Sequence, residues 1–320
     1  MIVEIIFIII GILFLCVGAD MLVDAVVRIS DKLKVNKLLV TLFIICIGTS
    51  VPEIIITLNG TLNQSEIALS NIVGSNISNL MVIFSLSLFA GEVKLNKLTK
   101  NETLKMFLVE TVFLLLCLYL RELNYITAIF FIVMLIYHIV TILKSGNAIK
   151  EEQDIEEADS IVFKFCNKII KNKGIIVVAF VILGLLLLYH GGNMVVDNSI
   201  ILARMLNISE SIIGVSILAV GTSLPELITS IVSIRKKHYD IVTGNIIGSN
   251  IINTCLVLLI PAFMTTIQIG IVEIVQLLMM FISVSIFTLF VLKKEKLNYK
   301  HGLVFIFIYI ISVIIMYNFN

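Results

Sequence analysis

Long apolar runs, separated by short polar or basic stretches, set the pattern of this chain from its second residue onward. Ten runs are long enough to cross a bilayer core, which takes about 17–25 residues of helix: roughly 2–27, 37–62, 66–90, 103–120, 124–143, 174–203, 210–234, 239–263, 273–292 and 301–318. Backbone N–H and C=O groups find no water in lipid, so a spanning chain is either helical or a closed barrel. The runs are long and do not alternate with period two, which predicts helices. The first run holds Glu4 and has no Lys or Arg before it, so it is expected to be a span rather than a signal peptide.

The basic residues orient these spans. With the N-terminus outside, the inner loops receive Arg28, Lys32, Lys34 and Lys37; Lys94 to Lys105; Lys144 to Lys173; Arg235 to Lys237; and Lys293 to Lys300. Together these are 21 of the 23 Lys and Arg residues, leaving only Arg121 and Arg204 outside. Cytoplasmic loops carry the basic excess, so the count supports both the orientation and the number of spans. Composition agrees: 59% of residues are hydrophobic and 14% charged, against about 25% charged in soluble domains. The net charge of +1 gives no reason to expect nucleic acid as a partner. The five cysteines have no C-x-x-C spacing, so neither zinc nor a disulfide framework is suggested.

The chain also repeats itself. Gly48-Thr49-Ser50-Val51-Pro52-Glu53 returns as Gly221-Thr222-Ser223-Leu224-Pro225-Glu226, offset by 173 residues. Asn71-Ile72-Val73-Gly74-Ser75-Asn76-Ile77-Ser78-Asn79 returns as Asn245-Ile246-Ile247-Gly248-Ser249-Asn250-Ile251-Ile252-Asn253, offset by 174. Upstream, Gly18 to Asp24 resembles Gly191 to Asp197. Each half holds five spans, an odd number, so the second half enters the membrane inverted. The expected fold is all-α and integral to the membrane: ten transmembrane helices as two inverted five-helix repeats, 1–145 and 173–320, N-terminus outside. Inverted repeats with a midplane site at interrupted helices are a secondary-transporter architecture. The linker, 146–172, carries Glu151, Glu152, Asp154, Glu156, Glu157 and Asp159 without an EF-hand pattern, and reads as a solvated connection.

The repeated motifs carry hard-oxygen chemistry. Two of the chain's three prolines, Pro52 and Pro225, sit in them. Each removes an N–H and crowds the carbonyl four residues back, at Gly48 and Gly221, which predicts a broken helix at bilayer depth. Thr49, Ser50 and Glu53 can share one helix face, and Asn71, Ser75 and Asn79 recur every fourth residue on the next. Thr222, Ser223, Glu226, Asn245, Ser249 and Asn253 repeat the set. Hydroxyls, amides and carboxylates suit Ca²⁺, and the absence of His and thiolate side chains from the set disfavours zinc and copper. Neither glutamate has a basic neighbour in sequence. One divalent cation would neutralise both, as would two monovalent cations or two protons. Such residues also serve as packing contacts between membrane helices, but two copies, each with Pro and Glu, favour the ion reading. Asp20, Asp24 and Asp197 are expected to cap or pack helices, and Glu110, Glu273 and His190, which lack repeat partners, to be structural.

GTSxPE followed by GSNxxN, twice in inverted halves, resembles the alpha repeats of the cation/calcium antiporter superfamily, and most of all the prokaryotic sodium/calcium exchangers. The resemblance covers nearly the whole chain. It implies ion sites built from Thr49, Ser50, Glu53, Ser75 and Asn79, and from Thr222, Ser223, Glu226, Ser249 and Asn253, with the carbonyls of Cys46 and Ala219. It implies that spans 1 and 6 slide as gates, that Na⁺ and Ca²⁺ are the transported partners with no cofactor, and that the protein sits in a prokaryotic plasma membrane and functions as a monomer. Cys46 stands where the family usually has alanine, and Ser70 where it usually has glycine. Asn253, where potassium-dependent relatives carry Asp, implies independence from potassium. GTSxPE in place of GNxxE disfavours proton coupling. Ca²⁺/H⁺ exchange through the same glutamates is the nearest alternative and a calcium channel the next. No HExxH or GxGD motif supports an intramembrane protease, and no enzyme activity is expected.

Overall fold

The computed structural model describes residues 1–62, 67–146, 163, 166, 173–206 and 221–319. Ala219, nearly all of the acidic linker and the first part of the expected seventh span lie outside them. The described residues form a helical membrane fold. In chain order the helices are α1 (Ile2–Leu33), α2 (Lys37–Thr49), α3 (Val51–Leu62), α4 (Ala68–Ser87), α5 (Lys97–Leu120) and α6 (Tyr125–Gly146). They continue with α7 (Lys173–Met205), α8 (Leu224–Arg235), α9 (Tyr239–Met264), α10 (Ile271–Lys293) and α11 (Tyr299–Phe319). Among the described residues, eight helices are long and apolar enough to cross a membrane, or nine when the bent pair α2–α3 is one span. The expected seventh span is represented by α8, its described half.

Helix ends differ from the apolar runs for local reasons. α1 has 32 residues, about 48 Å at 1.5 Å each, and continues past the apolar run to a left-handed C-cap at Lys34. α5 starts at Lys97, well before residue 103, because Asn96 accepts a hydrogen bond from the Thr99 N–H at 2.8 Å and caps the first turn. Glu273 caps α10 by accepting from the Gly270 N–H at 2.9 Å, the structural role expected of it.

The long helices α1 and α7 pack together along their length. A Cβ at Gly11 would lie 2.8 Å from the Gly191 carbonyl oxygen, and one at Gly18 would lie 2.8 Å from that of Gly184. The earlier glycine of one helix meets the later glycine of the other, so the two run antiparallel. Bare backbone is what permits this approach, as in membrane helix pairs generally.

Among the described residues, four two-residue strands tie the loops: β1 (Val93–Lys94), β2 (Glu122–Leu123), β3 (Ile267–Gln268) and β4 (Lys296–Leu297). β1 pairs antiparallel with β4, Val93 opposite Leu297, and β2 with β3, Leu123 opposite Ile267. Each pairing joins the first half of the sequence to the second. Large apolar side chains cover the outside of the bundle, among them Leu115, Val133, Val178, Phe307 and Ile314. The apolar core between helices is matched at its centre by fully buried Thr, Ser, Asn and Glu residues on α2, α3, α4, α8 and α9.

Candidate cation-binding site

The break in the second span falls at Ser50, whose φ of −80° and ψ of 5° leave the helix, and the two pieces meet at 49°. Pro52 lies in the first turn of α3, where a missing N–H costs little. Proline thus starts a new helix here rather than kinking an old one. α8 repeats the arrangement, with Pro225 in its first turn after the irregular residue Ser223. Glu53 and Glu226 both fall in these first turns, where the positive end of the helix dipole faces a carboxylate.

π-helical turns place the asparagines. One spans Asn79–Ile83 in α4 and its counterpart spans Asn253–Val257 in α9, each opening at the predicted site residue. A third, Leu42–Cys46, ends four residues before the break in the second span. Such turns widen the helix by one residue and recur at functional positions. Here they re-aim the side chains that follow Ser75 and Ser249.

These pieces meet across the two halves. α3, carrying Glu53, packs against the π-turn of Asn253, and α8, carrying Glu226, against that of Asn79. Glu53 lies beside Thr222 and near Glu226, while Glu226 lies beside Thr49. Thr49, Ser50, Glu53, Ser75, Asn79, Ser223, Glu226, Ser249 and Asn253 are all buried, and Thr222 is half-buried.

The polar atoms there are largely without protein partners. Both carboxylate oxygens of Glu53 and of Glu226, the hydroxyls of Ser50, Ser223 and Ser249, and the Oδ1 atoms of Asn79 and Asn253 are buried and make no hydrogen bond. No ion pair engages either glutamate among the described residues. Buried polar atoms are ordinarily satisfied, so this many orphaned oxygens in one place mark a site for a charged ligand. The donor set is oxygen only, which fits a hard cation. The Cys46 carbonyl accepts from the Ser50 N–H at 3.1 Å and the Thr49 hydroxyl at 3.5 Å, while the thiol turns away toward the carbonyls of Gly244 at 3.4 Å and Asn245 at 3.7 Å.

Two members of the repeated motif do something else. Asn71 donates to the Thr57 hydroxyl at 3.2 Å and the Glu53 carbonyl at 3.5 Å. Asn245 donates to the Glu226 carbonyl and the Ser230 hydroxyl, both at 3.0 Å. They lash the glutamate-bearing helices to α4 and α9. A buried network beside the site was invisible from sequence. The Glu110 carboxylate on α5 accepts from the Thr254 hydroxyl at 2.8 Å and from Asn76 at 3.2 Å, and Asn76 in turn accepts from Asn253 at 3.1 Å. A lone acidic residue in an apolar run was its only signal. Asp20 and Asp24 go beyond the expected packing role, since both lie 2.6 Å from the Lys236 ammonium at the end of α8. Asp197 is exposed.

Helices broken at paired Pro-Glu turns, facing each other inside a lipid-coated bundle around bare oxygens, define a membrane protein that handles cations. The chain belongs to the sodium/calcium exchanger protein family, whose pattern it matches over residues 3–144 and 176–318. It is 32% identical over 260 residues to the inner membrane protein YrbG of Escherichia coli, covering 80% of this chain and 78% of that one. It is 24% identical to the sodium/calcium exchanger MaX1 of Methanosarcina acetivorans over 96% of each chain. Among solved structures it shares the fold of the sodium-calcium exchanger NCX_Mj, with a TM-score of 0.81, 24% identity and 98% coverage of each chain.

Proposed function

We propose that this protein is a sodium/calcium antiporter that exchanges Na⁺ for Ca²⁺ by alternating access, as a multi-pass protein of a prokaryotic plasma membrane. The observation that carries the reading is the cluster of buried, unpartnered oxygens around Glu53 and Glu226. Ca²⁺ would be held by Thr49, Ser50, Glu53, Ser75 and Asn79 from one half and Thr222, Ser223, Glu226, Ser249 and Asn253 from the other, with the carbonyls of Cys46 and Ala219. Two carboxylates balance one divalent cation, and the same oxygens divide among monovalent ions. Sodium therefore displaces calcium by taking overlapping positions, and Asn253 in place of a carboxylate leaves no extra charge for potassium.

The architecture that serves this is ten helices in two inverted repeats, 1–145 and 173–320, joined by the linker 146–172, with the N-terminus outside. The antiparallel contact of α1 with α7 supports the inversion. So do the strand pairs: under the repeat offset β1 corresponds to β3 and β2 to β4, and the pairs β1–β4 and β2–β3 exchange with each other. α1 and α7 are the sliding gate.

⁴⁵Ca²⁺ uptake into proteoliposomes loaded with Na⁺, compared with K⁺ or choline, tests the reading. Uptake should require internal Na⁺, survive collapse of the pH gradient and disappear in Glu53→Gln and Glu226→Gln. Uptake that follows the pH gradient whatever the alkali ion would make the protein a Ca²⁺/H⁺ exchanger. Uptake indifferent to both gradients would make it a channel.

A further inference from the structure

We infer that Glu110 is a positioning residue for the cation site: through Asn76 it holds the amide of Asn253 so that its oxygen, and not its nitrogen, faces the ion. The inference rests on the cation-site reading above. An asparagine offers a ligand oxygen only in one of its two amide orientations, and something must choose between them.

The choice can be followed atom by atom. The Asn76 Nδ2 group is surrounded by acceptors: the Glu110 carboxylate at 3.2 Å, the Asn250 carbonyl at 3.3 Å and the Thr254 hydroxyl at 2.9 Å. Turned over, Asn76 would set its oxygen against the Asn250 carbonyl, which cannot donate, and against Glu110 Oε1, which already accepts from the Thr254 hydroxyl. Its Oδ1 is therefore aimed the other way, where it accepts from Asn253 Nδ2 at 3.1 Å. With its nitrogen so engaged, Asn253 has only Oδ1 left, and that atom is buried with no protein partner. Thr254, next to Asn253 on the same π-turn, donates to Glu110 at 2.8 Å and anchors the carboxylate to the turn it organises.

The device exists in one half only. Asn250 is the repeat equivalent of Asn76, and its Oδ1 accepts nothing. Asn79, the equivalent of Asn253, has both amide atoms free of protein partners. The positions matching Glu110 are Ser283 and Val284, and the Ser283 hydroxyl is spent on the Met279 carbonyl at 2.9 Å. One asparagine of the site is thus preset as an oxygen ligand, while the other is able to turn. Partners that orient a metal ligand commonly account for about 10–100-fold in metal affinity.

Isothermal titration of the purified full-length protein with Ca²⁺ tests this without relying on transport. Glu110→Gln keeps an acceptor for Asn76 and should bind within about threefold of wild type. Glu110→Leu should weaken Ca²⁺ binding about 10–100-fold. Adding Asn76→Asp to Glu110→Leu should restore it, because an aspartate in that place can only accept from Asn253. Asn76→Leu reads the same relay from its middle should Glu110→Leu fail to fold, and should weaken binding to the same degree. Unchanged affinity in the leucine variants, a Gln variant as weak as the Leu variant, or no rescue by Asn76→Asp would overturn the relay. Wild-type protein that binds no Ca²⁺ would sink the cation site along with it. A protein that binds Ca²⁺ but fails the sodium-gradient uptake test would lose the antiport reading alone.

Discussion

Asn71 and Asn245 have the same spacing from their neighbours as the proposed site residues, and nothing in that spacing separates them from Ser75, Asn79, Ser249 and Asn253. Only the packing of α4 on α3 and of α9 on α8 does so, by bringing the backbone carbonyls of Glu53 and Glu226 to their amides. Each of these carbonyls lies in a helix with an N–H of the following turn to accept, so removing the amide forfeits one net hydrogen bond, about 0.5–1.5 kcal/mol. Asn245→Ala should therefore lower thermal stability in detergent by about that amount. Its Ca²⁺ affinity should fall much less than that of Glu226→Gln, as titration of the two variants would show. A larger loss of affinity than in Glu226→Gln would make Asn245 a ligand after all. Glu110 is the opposite case. Its lack of a repeat partner made it look incidental, yet that lack is what makes the two halves of the site chemically different.

At the scale of elements, the repeat of Gly18 to Asp24 at Gly191 to Asp197 was legible, but its consequence was not. The glycines turn out to be the contact between α1 and α7, backbone against backbone. A methyl group at Gly18 would lie 2.8 Å from the Gly184 carbonyl oxygen and 3.0 Å from the Leu188 nitrogen, with no flexible side-chain tip to move aside. Overpacking of this kind costs about 1–3 kcal/mol in packed interiors. Gly18→Ala should slow exchange severalfold while leaving Ca²⁺ affinity near wild type, because the helix pair and not the oxygen cluster is disturbed. Equal losses in rate and affinity would contradict a gating role for this pair. The break at Ser50 was foreseen from Pro52. That proline would open α3, with Glu53 in the same first turn, followed from where the chain could afford the missing N–H.

Across the whole molecule, the two ends of the α1–α7 pair are not equivalent. Leu22 and Val23 are fully enclosed and Asp24 is buried, whereas their repeat equivalents Val195 and Val196 are only half-buried and Asp197 is exposed. At the enclosed end the Lys236 ammonium bridges Asp20 and Asp24, joining α1 to the end of α8. The three side chains keep some solvent contact, so each pair contributes about 1 kcal/mol or less. His238, in the turn that follows Lys236, is held at a pKa of about 4 by burial and by the charges of Lys37 and Lys236, so it stays neutral near pH 7. Lys236→Met should speed hydrogen exchange in residues 18–30 severalfold, and Lys236→Arg should restore most of the protection. Unchanged protection in Lys236→Met would mean that packing alone closes this end. By itself the sequence determined the membrane class, the helical character of the spans, the repeat and the polar residues proposed as ligands, because lipid imposes long apolar runs and a polar residue at that depth stands out against them. Tertiary structure decided which of those polar residues are buried without protein partners and which tie helices. It also decided that Glu110 reaches Asn253 and that Lys236 reaches Asp24. The contacts of Asn76 with Asn253 and of Asp24 with Lys236 join residues more than a hundred positions apart, and only the crossing of folded helices sets such distances.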